Sequence, residues 1–168
     1  HMAMRTPDHL ASVDYRKLTA FAESVRCNPD ITSAVNLGIG GSDLGPKMVT
    51  QALAGYHDGP VCHFVSNICP TDLHDVLVTC DPHKTLFIIT SKTFTTAETL
   101  ANAMMAKHWL DQHGVGAGTA MVAVTAAGAR ARAWGIDPDH IFGFADGIGG
   151  RYSLWSTVGM SVMIAIGS

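Results

Sequence analysis

The densest group of chemically useful side chains in this sequence is the stretch ITSKTFTTAET, residues 89–99, which follows directly on an apolar run. It places six hydroxyl groups around one lysine. Thr95 and Glu98 have the S/T-x-x-E spacing of a capping box, which predicts a helix that begins there and turns its free N–H groups and positive dipole end toward the preceding loop. Four hydroxyl side chains ahead of the helix add donors: Ser91, Thr93, Thr95 and Thr96.

Such a concentration of donors suits a dianionic phosphoryl group. The plainer alternative is that the hydroxyls only cap the helix and form the turn, but one cap needs one hydroxyl, and most of them would then have no role. Lys92 either supplies a positive charge to the same group or shapes the turn. The stretch therefore predicts a phosphate site at a helix N-terminus.

A second candidate site is the glycine loop GIGGSDLG, residues 38–45, between an apolar run and a predicted helix. Its glycines permit a tight turn and let a ligand approach main-chain N–H groups. It is not a GxGxxG dinucleotide loop, because Asp43 stands where the third glycine belongs. It is not a P-loop, because Pro46 precedes Lys47 and no Ser or Thr follows that lysine. The loop predicts an anion site without a nucleotide, or a purely structural glycine turn.

A third candidate is the loop ADGIGGRYSLWS, residues 145–156, which follows the last apolar run. Its glycines bring backbone close to a ligand, and Arg151 adds a permanent charge with forked donors. Asp146 is the candidate ion-pair partner of that arginine. On spacing alone, a solvated arginine in a glycine loop is an equally good interpretation.

The elements that must position these loops alternate between strand and helix. Five short apolar runs between residues 34 and 144 are strand candidates: AVNLGI, VCHFVS, TLFIIT, AMVAVT and IFGF. Near-continuous apolarity is typical of strands that are covered on both faces, as in a parallel sheet. Right-handed crossovers then give a doubly wound, three-layer α/β sandwich with a mainly parallel five-stranded sheet, whose ligands lie beyond the carboxyl ends of the strands.

The helices predicted around this sheet start with residues 11–26, where Leu18, Phe21, Ala22 and Val25 recur at helical spacing. The later ones are GPKMVTQALAG, PTDLHDVLVT, TAETLANAMMAKHWLDQHG, AAGARARAWG and a buried C-terminal helix in SLWSTVGMSVMIAIGS. The leading His-Met suggests that residues 1–4 are a ragged start left by cloning. We expect residues 5–168 to form one domain.

Composition excludes several classes of protein. With 11 Lys and Arg against 14 Asp and Glu, the chain has no basic field for nucleic acid or anionic membrane. Hydrophobic residues make up 47% and charged residues 15%, so we expect some apolar surface to lie against a partner. The four cysteines, at 27, 62, 69 and 80, have neither CxxC nor zinc-finger spacing. They predict reduced thiols in a cytoplasmic protein, with no metal site.

Taken together, VNLGIGGSDLGP, ITSKTFTTAET and DGIGGRYSLWSTVG resemble the glucose-6-phosphate isomerase family. The resemblance continues in register from the first predicted helix to the last and covers the family's first sugar-isomerase (SIS) domain. It implies contacts from Gly41, Ser42 and Gly150 to the sugar phosphate. It also implies a phosphate pocket formed by Ser91, Lys92, Thr93, Thr95 and Thr96 with Thr99 at its edge. Arg151 would stabilise negative charge on an enediolate.

The same resemblance implies an enzyme of glycolysis and gluconeogenesis that interconverts glucose 6-phosphate and fructose 6-phosphate, in the cytoplasm, as a homodimer, and without metal or other cofactor. In the family, the glutamate base, a ring-opening histidine and a late lysine lie beyond the point where this sequence stops. We therefore expect a truncated part of a two-domain enzyme. It would bind the sugar phosphate but be inactive alone, because abstraction of a proton next to a carbonyl requires a base within reach.

No residue of this chain is a good replacement for that base. Glu98 already has the predicted capping role, and the six histidines after residue 60 share no motif. One other class of protein remains open, a stand-alone SIS module that binds phosphosugars without turning them over. Arg151 and the complete DGIGGRYSLWS loop favour the enzyme, because a sensor has no enediolate to stabilise.

Overall fold

The computed structural model describes residues 10–167, with side chains from Tyr15 onward; the ragged start expected at residues 1–4 lies outside them. Five strands form one sheet. They are β1 (Ser33–Gly38), β2 (Val61–Val65), β3 (Thr85–Thr90), β4 (Met121–Val124) and β5 (Ile141–Phe142). They pair in parallel in the order β2-β1-β3-β4-β5, which confirms the predicted parallel sheet.

Within residues 10–167, seven helices connect and flank these strands. They are α1 (Leu10–Arg26), α2 (Leu44–Ala52), α3 (Pro70–Thr79), α4 (Ala97–Gln112), α5 (Ala117–Ala120), α6 (Gly128–Trp134) and α7 (Met160–Ile166). Short 3-10 segments lie at Gly40–Ser42, Ala54–Tyr56, Pro82–Lys84, Pro138–His140, Gly150–Trp155 and Thr157–Gly159. No helix among residues 10–167 is both long enough and apolar enough to cross a membrane.

The sheet is buried on both faces because alternate strand residues point to opposite helix layers. On one face, Val35, Phe87 and Ile89 pack with residues of α3, α4 and α6. On the other, Leu86 and Ile88 pack with residues of α1 and α7. Every residue of β1, β3 and β4 is buried, which explains why their sequences are apolar without alternating. The predicted three-layer sandwich is confirmed.

Predicted bounds are wrong in three places, and the first is the run IFGF, which forms a strand only at Ile141–Phe142. The run AMVAVT does not form a strand throughout, because Ala120 ends the short helix α5 and β4 begins at Met121. The C-terminal run is not one helix. Ser156 is extended, its side chain accepts a hydrogen bond from the N–H of Val158, and α7 begins only at Met160. The turn also needs glycine at position 159, because a Cβ there would lie 2.4 Å from the carbonyl oxygen of Leu154.

The sheet order brings the candidate loops together. The connection from β1 places β2 on one side of the central pair of strands, and the connection from β3 places β4 on the other side. Because the two connections diverge, a crevice opens at the carboxyl ends of β1 and β3. Gly38 pairs with Thr90 at the last rung of these two strands, and the loops that leave them therefore start side by side. From β5, at the edge of the sheet, residues 143–150 run back across the carboxyl edge to the glycine loop.

Candidate functional site

A cavity of about 200 Å³ lies at the carboxyl ends of β1 and β3, where the three loops meet. Six residues predicted from the sequence line it: Gly41, Ser42, Ser91, Lys92, Thr96 and Gly150. The rest of the lining is Ile39, Thr90, Phe144, Ile148, Gly149, Ser153 and Val158. The wall therefore combines hydroxyls, one ammonium group and glycine backbone with a few apolar side chains.

The glycine loop is fixed from below by a buried amide. Asn36 sits in the middle of β1, fully buried, and its Nδ2 donates to the carbonyl oxygen of Ser42 at 2.9 Å. Its Oδ1 accepts a 3.0 Å hydrogen bond from the hydroxyl of Thr90 at the end of β3. One side chain thus ties the glycine loop to the neighbouring strand. Gly40 adopts the left-handed conformation at φ +59°, which lets the chain turn there.

The first and third loops touch backbone to backbone. A Cβ on Gly41 would lie 2.4 Å from the carbonyl oxygen of Gly150, so only glycine fits there. Gly150 itself is left-handed, at φ +58°. The Ser153 hydroxyl lies 2.7 Å from the carbonyl oxygen of Gly150 and 3.3 Å from that of Gly41, and donates to this pair.

The second loop departs from the predicted capping box. α4 begins at Ala97 with Thr96, not Thr95, as its N-cap, and the Thr96 side chain makes no capping hydrogen bond. Its hydroxyl instead lies 3.0 Å from the hydroxyl of Ser91. Capping by Thr95 was the wrong prediction because this tertiary contact turns Thr96 toward the cavity. Glu98 is half-buried in the first turn of α4, outside the cavity lining.

Lys92 connects the second and third loops. Its side chain is exposed, and its Nζ donates to the carbonyl oxygen of Asp146. Its own carbonyl oxygen accepts hydrogen bonds from the N–H of Ala126 and from the hydroxyl of Thr125, each at 3.1 Å. The ammonium group therefore stands at the rim of the cavity between the two loops.

Three predicted phosphate contacts lie away from the cavity lining. Thr93 and Thr95 are exposed, and the hydroxyl of Thr95 donates to that of Thr93 at 2.8 Å. Thr99 is buried in α4, and its hydroxyl has no hydrogen-bond partner among the described residues. Their predicted roles stay predictions.

Arg151 also lies outside the cavity lining. Its side chain is exposed, and the guanidinium carbon stands 5.2 Å from the ring centroid of Tyr152. The predicted ion pair with Asp146 does not form; within residues 15–167 the ion pairs are Arg26 with Glu23, Arg26 with Asp58, and Lys107 with Asp111. The guanidinium group of Arg151 lies against the ring of Tyr152 instead, and Asp146 is contacted at its backbone carbonyl oxygen by Lys92 of the neighbouring loop.

Burial perturbs one acidic group of the glycine loop. Asp43 follows Ser42 and is only 3% exposed, and its Oδ1 has no hydrogen-bond partner among the described residues. Desolvation raises the pKa of this carboxyl group above its usual value, an effect that the positive charge of Lys47 partly offsets. Two further shifts lie on β2. Burial raises the pKa of Cys62 to about 12 and lowers the pKa of His63.

The described cavity lining contains no His, Cys, Asp or Glu side chain. Within the described ranges, no three His, Cys, Asp or Glu side chains come close enough together to hold an ion. A larger depression of about 380 Å³ lies between α3 and α4, but its lining is His74, His108 and apolar residues. The described lining of this depression has no hydroxyl, Lys or Arg side chain, unlike the lining of the cavity at the strand ends.

Sequence reasoning missed the residues that support the loops. Asn36 and Ser153 hold loop carbonyls, and Thr125 and Arg130 hold the backbone of the second loop. The signal for Asn36 was present, since a lone amide within an apolar strand run needs a partner. The other partners lie far apart in sequence, and no local pattern indicates them.

Comparisons with known proteins give one consistent family. The family model described as phosphoglucose isomerase matches residues 13–168. Glucose-6-phosphate isomerase of Roseobacter denitrificans is 48% identical over 161 residues, which are 96% of this chain and 30% of that protein. The chain spans about a third of the length of the curated relatives it matches.

Solved structures give the same result. A glucose-6-phosphate isomerase from Chlamydia trachomatis superposes with a TM-score of 0.81 at 32% identity, over 93% of this chain and 30% of that one. The sugar isomerase domain of an RpiR transcription factor from Sphaerobacter thermophilus gives 0.53 at 17% identity, over 89% of this chain and 74% of that one. This second likeness concerns the fold alone and confirms the predicted SIS-type fold.

Proposed function

This chain belongs to the phosphoglucose isomerase family, and from that premise we propose that it provides the phosphate-binding part of an enzyme that interconverts glucose 6-phosphate and fructose 6-phosphate. One observation carries the proposal. The hydroxyls of Ser91 and Thr96, the ammonium group of Lys92 and the backbone of Gly41 line one cavity at the N-terminus of the 16-residue helix α4. Hydroxyl and N–H donors near a helix N-terminus suit a phosphate dianion.

In this proposal the two hydroxyls bind the phosphate directly. The hydroxyl oxygens of Ser91 and Thr96 lie 3.0 Å apart and share one hydrogen bond in the free protein. A phosphate oxygen offers both of them a charged acceptor, and such hydrogen bonds are shorter and stronger than neutral ones. Lys92 at the rim adds charge, while Gly41 and Gly150 let the sugar approach the backbone.

The size of the cavity supports a partial site. About 200 Å³ is below the roughly 300–1,000 Å³ typical of complete ligand pockets. It holds a phosphoryl group and part of a sugar. The relatives are about three times longer than this chain, and we propose that the remaining walls come from the part of those enzymes that this chain does not span.

The reaction is a proton transfer between two neighbouring sugar carbons. It needs a base within hydrogen-bond reach of the C–H bond and a positive group near the developing enediolate oxygen. No Asp, Glu or His is part of the described cavity lining. We assign the second role to Arg151, which follows Gly150 and must turn inward from its place beside Tyr152 to meet the enediolate.

Because no base is part of the described cavity lining, the same cavity also fits a second function, that of a module that binds phosphosugars without turnover. The module shares the phosphate contacts with the enzyme and differs only in leaving the bound sugar unchanged. Isomerase activity after this domain is supplied with the family's base would identify the enzyme, whereas binding alone under that condition would favour the module.

For the whole enzyme we propose a cytoplasmic homodimer. Large apolar side chains are exposed on α2 and on the 3-10 segment that contacts it: Leu44, Met48, Tyr152 and Trp155. Such surfaces are usually covered by another domain or subunit.

Calorimetric titration with fructose 6-phosphate tests the phosphate site. The native chain should bind, inorganic phosphate should compete, and Ser91→Ala or Thr96→Ala should weaken binding about ten- to hundredfold, because a hydrogen bond to a charged group is worth about 1.5–3 kcal/mol. Thr119→Ala is the matched control, since Thr119 is exposed and its hydroxyl donates to Gly116 outside the cavity lining. Equal weakening by all three substitutions would contradict the assignment.

A further inference from the structure

The loop that carries Ser91 and Thr96 has an unfavourable backbone conformation. Phe94, between them, has φ +51°, and it is the only non-glycine residue with positive φ in the described part of the chain. Bulky side chains rarely adopt this left-handed conformation, and they keep it only where their surroundings impose it. The surroundings of the loop therefore determine how the two hydroxyls are presented.

Part of that restraint comes from the side chain of Phe94. The ring is buried and meets the ring of Trp134 edge to face, with centroids 6.3 Å apart and planes at 79°. The N–H of Phe94 donates to the hydroxyl of Ser91 at 3.1 Å. The strained residue is thus held at its ring by α6 and at its backbone by a cavity hydroxyl.

The two preceding residues are held by the same segment. The carbonyl oxygen of Lys92 accepts hydrogen bonds from Thr125 and Ala126, and that of Thr93 accepts one from Nη1 of Arg130 at 2.8 Å. Residues 92, 93 and 94 are therefore each fixed by a partner between Thr125 and Trp134. That segment lies outside the cavity lining, so it acts on the site only through the loop.

We propose that the segment 125–134 is a clamp that preorganises the phosphate loop, and that Arg130 is a positioning residue of the binding site. The inference rests on the proposed phosphate site. Arg130 binds the carbonyl of Thr93, and this leaves the hydroxyls of Ser91 and Thr96 directed to the cavity. Binding to a preorganised loop avoids the entropic cost of ordering it at that moment.

The chain contains a matched control two residues away. Arg132 is on the same helix and also exposed, but no hydrogen bond or ion pair joins its side chain to another described residue. Positions i and i+2 lie on different faces of a helix, so Arg132 cannot replace Arg130. Arg130→Gln and Arg132→Gln remove the same charge from the same helix, and only the first removes the bond to Thr93.

The experiment measures amide hydrogen exchange of residues 91–96 in the ligand-free native chain and in each variant. Each chain is then titrated with inorganic phosphate and with fructose 6-phosphate. Arg130→Gln should accelerate exchange in the loop and weaken both ligands about three- to tenfold, the range expected for one lost charged hydrogen bond at an exposed position. Arg132→Gln should change neither. Arg130→Lys keeps the charge and one donor, and should recover only part of the affinity.

The outcomes separate this inference from the proposed function. If the native chain binds neither ligand, the proposed phosphate site is wrong, and loop exchange alone then decides whether the clamp exists. Suppose that the native chain binds the ligands. If the Arg130→Gln variant then has the same exchange rates in residues 91–96, or the same affinity, as the native chain, Arg130 is not a positioning residue. Full recovery of affinity by Arg130→Lys with unchanged exchange would assign the effect to net charge and overturn the clamp.

Discussion

Gly41 and Gly150 are separated by more than a hundred residues, yet their backbones touch at the floor of the candidate site. A Cβ built on Gly41 would stand 2.4 Å from the carbonyl oxygen of Gly150 and 2.7 Å from its carbonyl carbon. These are backbone atoms in a 3-10 segment, and a side-chain rotation cannot relieve the clash. The two loops can therefore approach each other this closely because Gly41 has no side chain.

Gly41→Ala should consequently separate the two loops. We expect a loss of about 1–3 kcal/mol in the free energy of unfolding, the range for overpacked sites, together with weaker binding of fructose 6-phosphate. Gly55→Ala is the control, because a Cβ at Gly55 meets nothing within 4 Å and its φ is not positive. Urea denaturation and calorimetry measure both effects. A Gly41→Ala chain as stable as the Gly55→Ala chain would show that the loops adapt without cost.

Asn36 should be as important for stability as an apolar core residue. Asn36→Leu removes the donor to the half-buried carbonyl of Ser42 and the acceptor for the buried hydroxyl of Thr90. We expect a loss of about 2–4 kcal/mol in unfolding free energy, since the unpaired buried hydroxyl costs about 1–3 kcal/mol and the lost hydrogen bond to the carbonyl adds about 1 kcal/mol.

Thr90→Val and Asn36→Leu together make a double-mutant cycle that measures the interaction between Asn36 and Thr90. The double variant should be less destabilised than the sum of the two single variants, because both remove the same hydrogen bond. Strict additivity in denaturant melts would contradict a direct interaction between Asn36 and Thr90.

The strands of the sheet could be predicted because each one is indicated by a pattern of neighbouring residues in the sequence. Each strand is a short apolar run bounded by turn residues, and β1 and β3 are buried on both faces, so their patterns contain little ambiguity. The three loops could also be predicted, since strand ends in a parallel sheet share one edge. Their contacts could not. Asn36 contacts Thr90 because β1 and β3 pair, and no spacing in the sequence indicates that contact.

The capping box shows the same limit at shorter range. Thr95 and Thr96 are adjacent, and the S/T-x-x-E spacing selects Thr95. The hydroxyl contact of Thr96 with Ser91 and the burial of Phe94 fix the loop so that α4 starts one residue later. Likewise, the proximity of Asp146 to Arg151 in sequence suggested an ion pair, but the Arg151 guanidinium group lies against the ring of Tyr152 instead.

Asp43 should contribute less to the stability of the folded chain at neutral pH than at mildly acidic pH. Its pKa is raised in the folded state, chiefly by desolvation, so between the usual carboxyl pKa of 3.8 and the raised value the folded chain binds more protons than the unfolded chain. The free energy of unfolding contributed by this group then falls as pH rises through that window. Asp43→Asn should remove this contribution.

We therefore expect the advantage of Asp43→Asn over the native chain to be largest at neutral pH and to shrink as pH falls toward 3.8. Asp30→Asn is the control, because Asp30 is exposed and its side chain makes no hydrogen bond or ion pair with the described residues. Denaturant melts at several pH values measure the difference. An advantage that grows on acidification would reverse the sign and contradict the desolvation argument.

The chain alone should not isomerise sugar phosphates at a rate above that of buffer. Binding places the phosphate, but proton transfer needs a base, and the carboxylate nearest in sequence to the phosphate loop, Glu98, lies in the first turn of α4 outside the cavity lining. Incorporation of deuterium from solvent into fructose 6-phosphate, monitored by NMR, is the sharpest measurement, because it detects proton abstraction even without net product. Native chain and Glu98→Gln should both remain at the background rate. If the native chain incorporates deuterium into the sugar and Glu98→Gln does not, Glu98 reaches the substrate. The claim that this chain binds the phosphate without supplying a base would then be wrong.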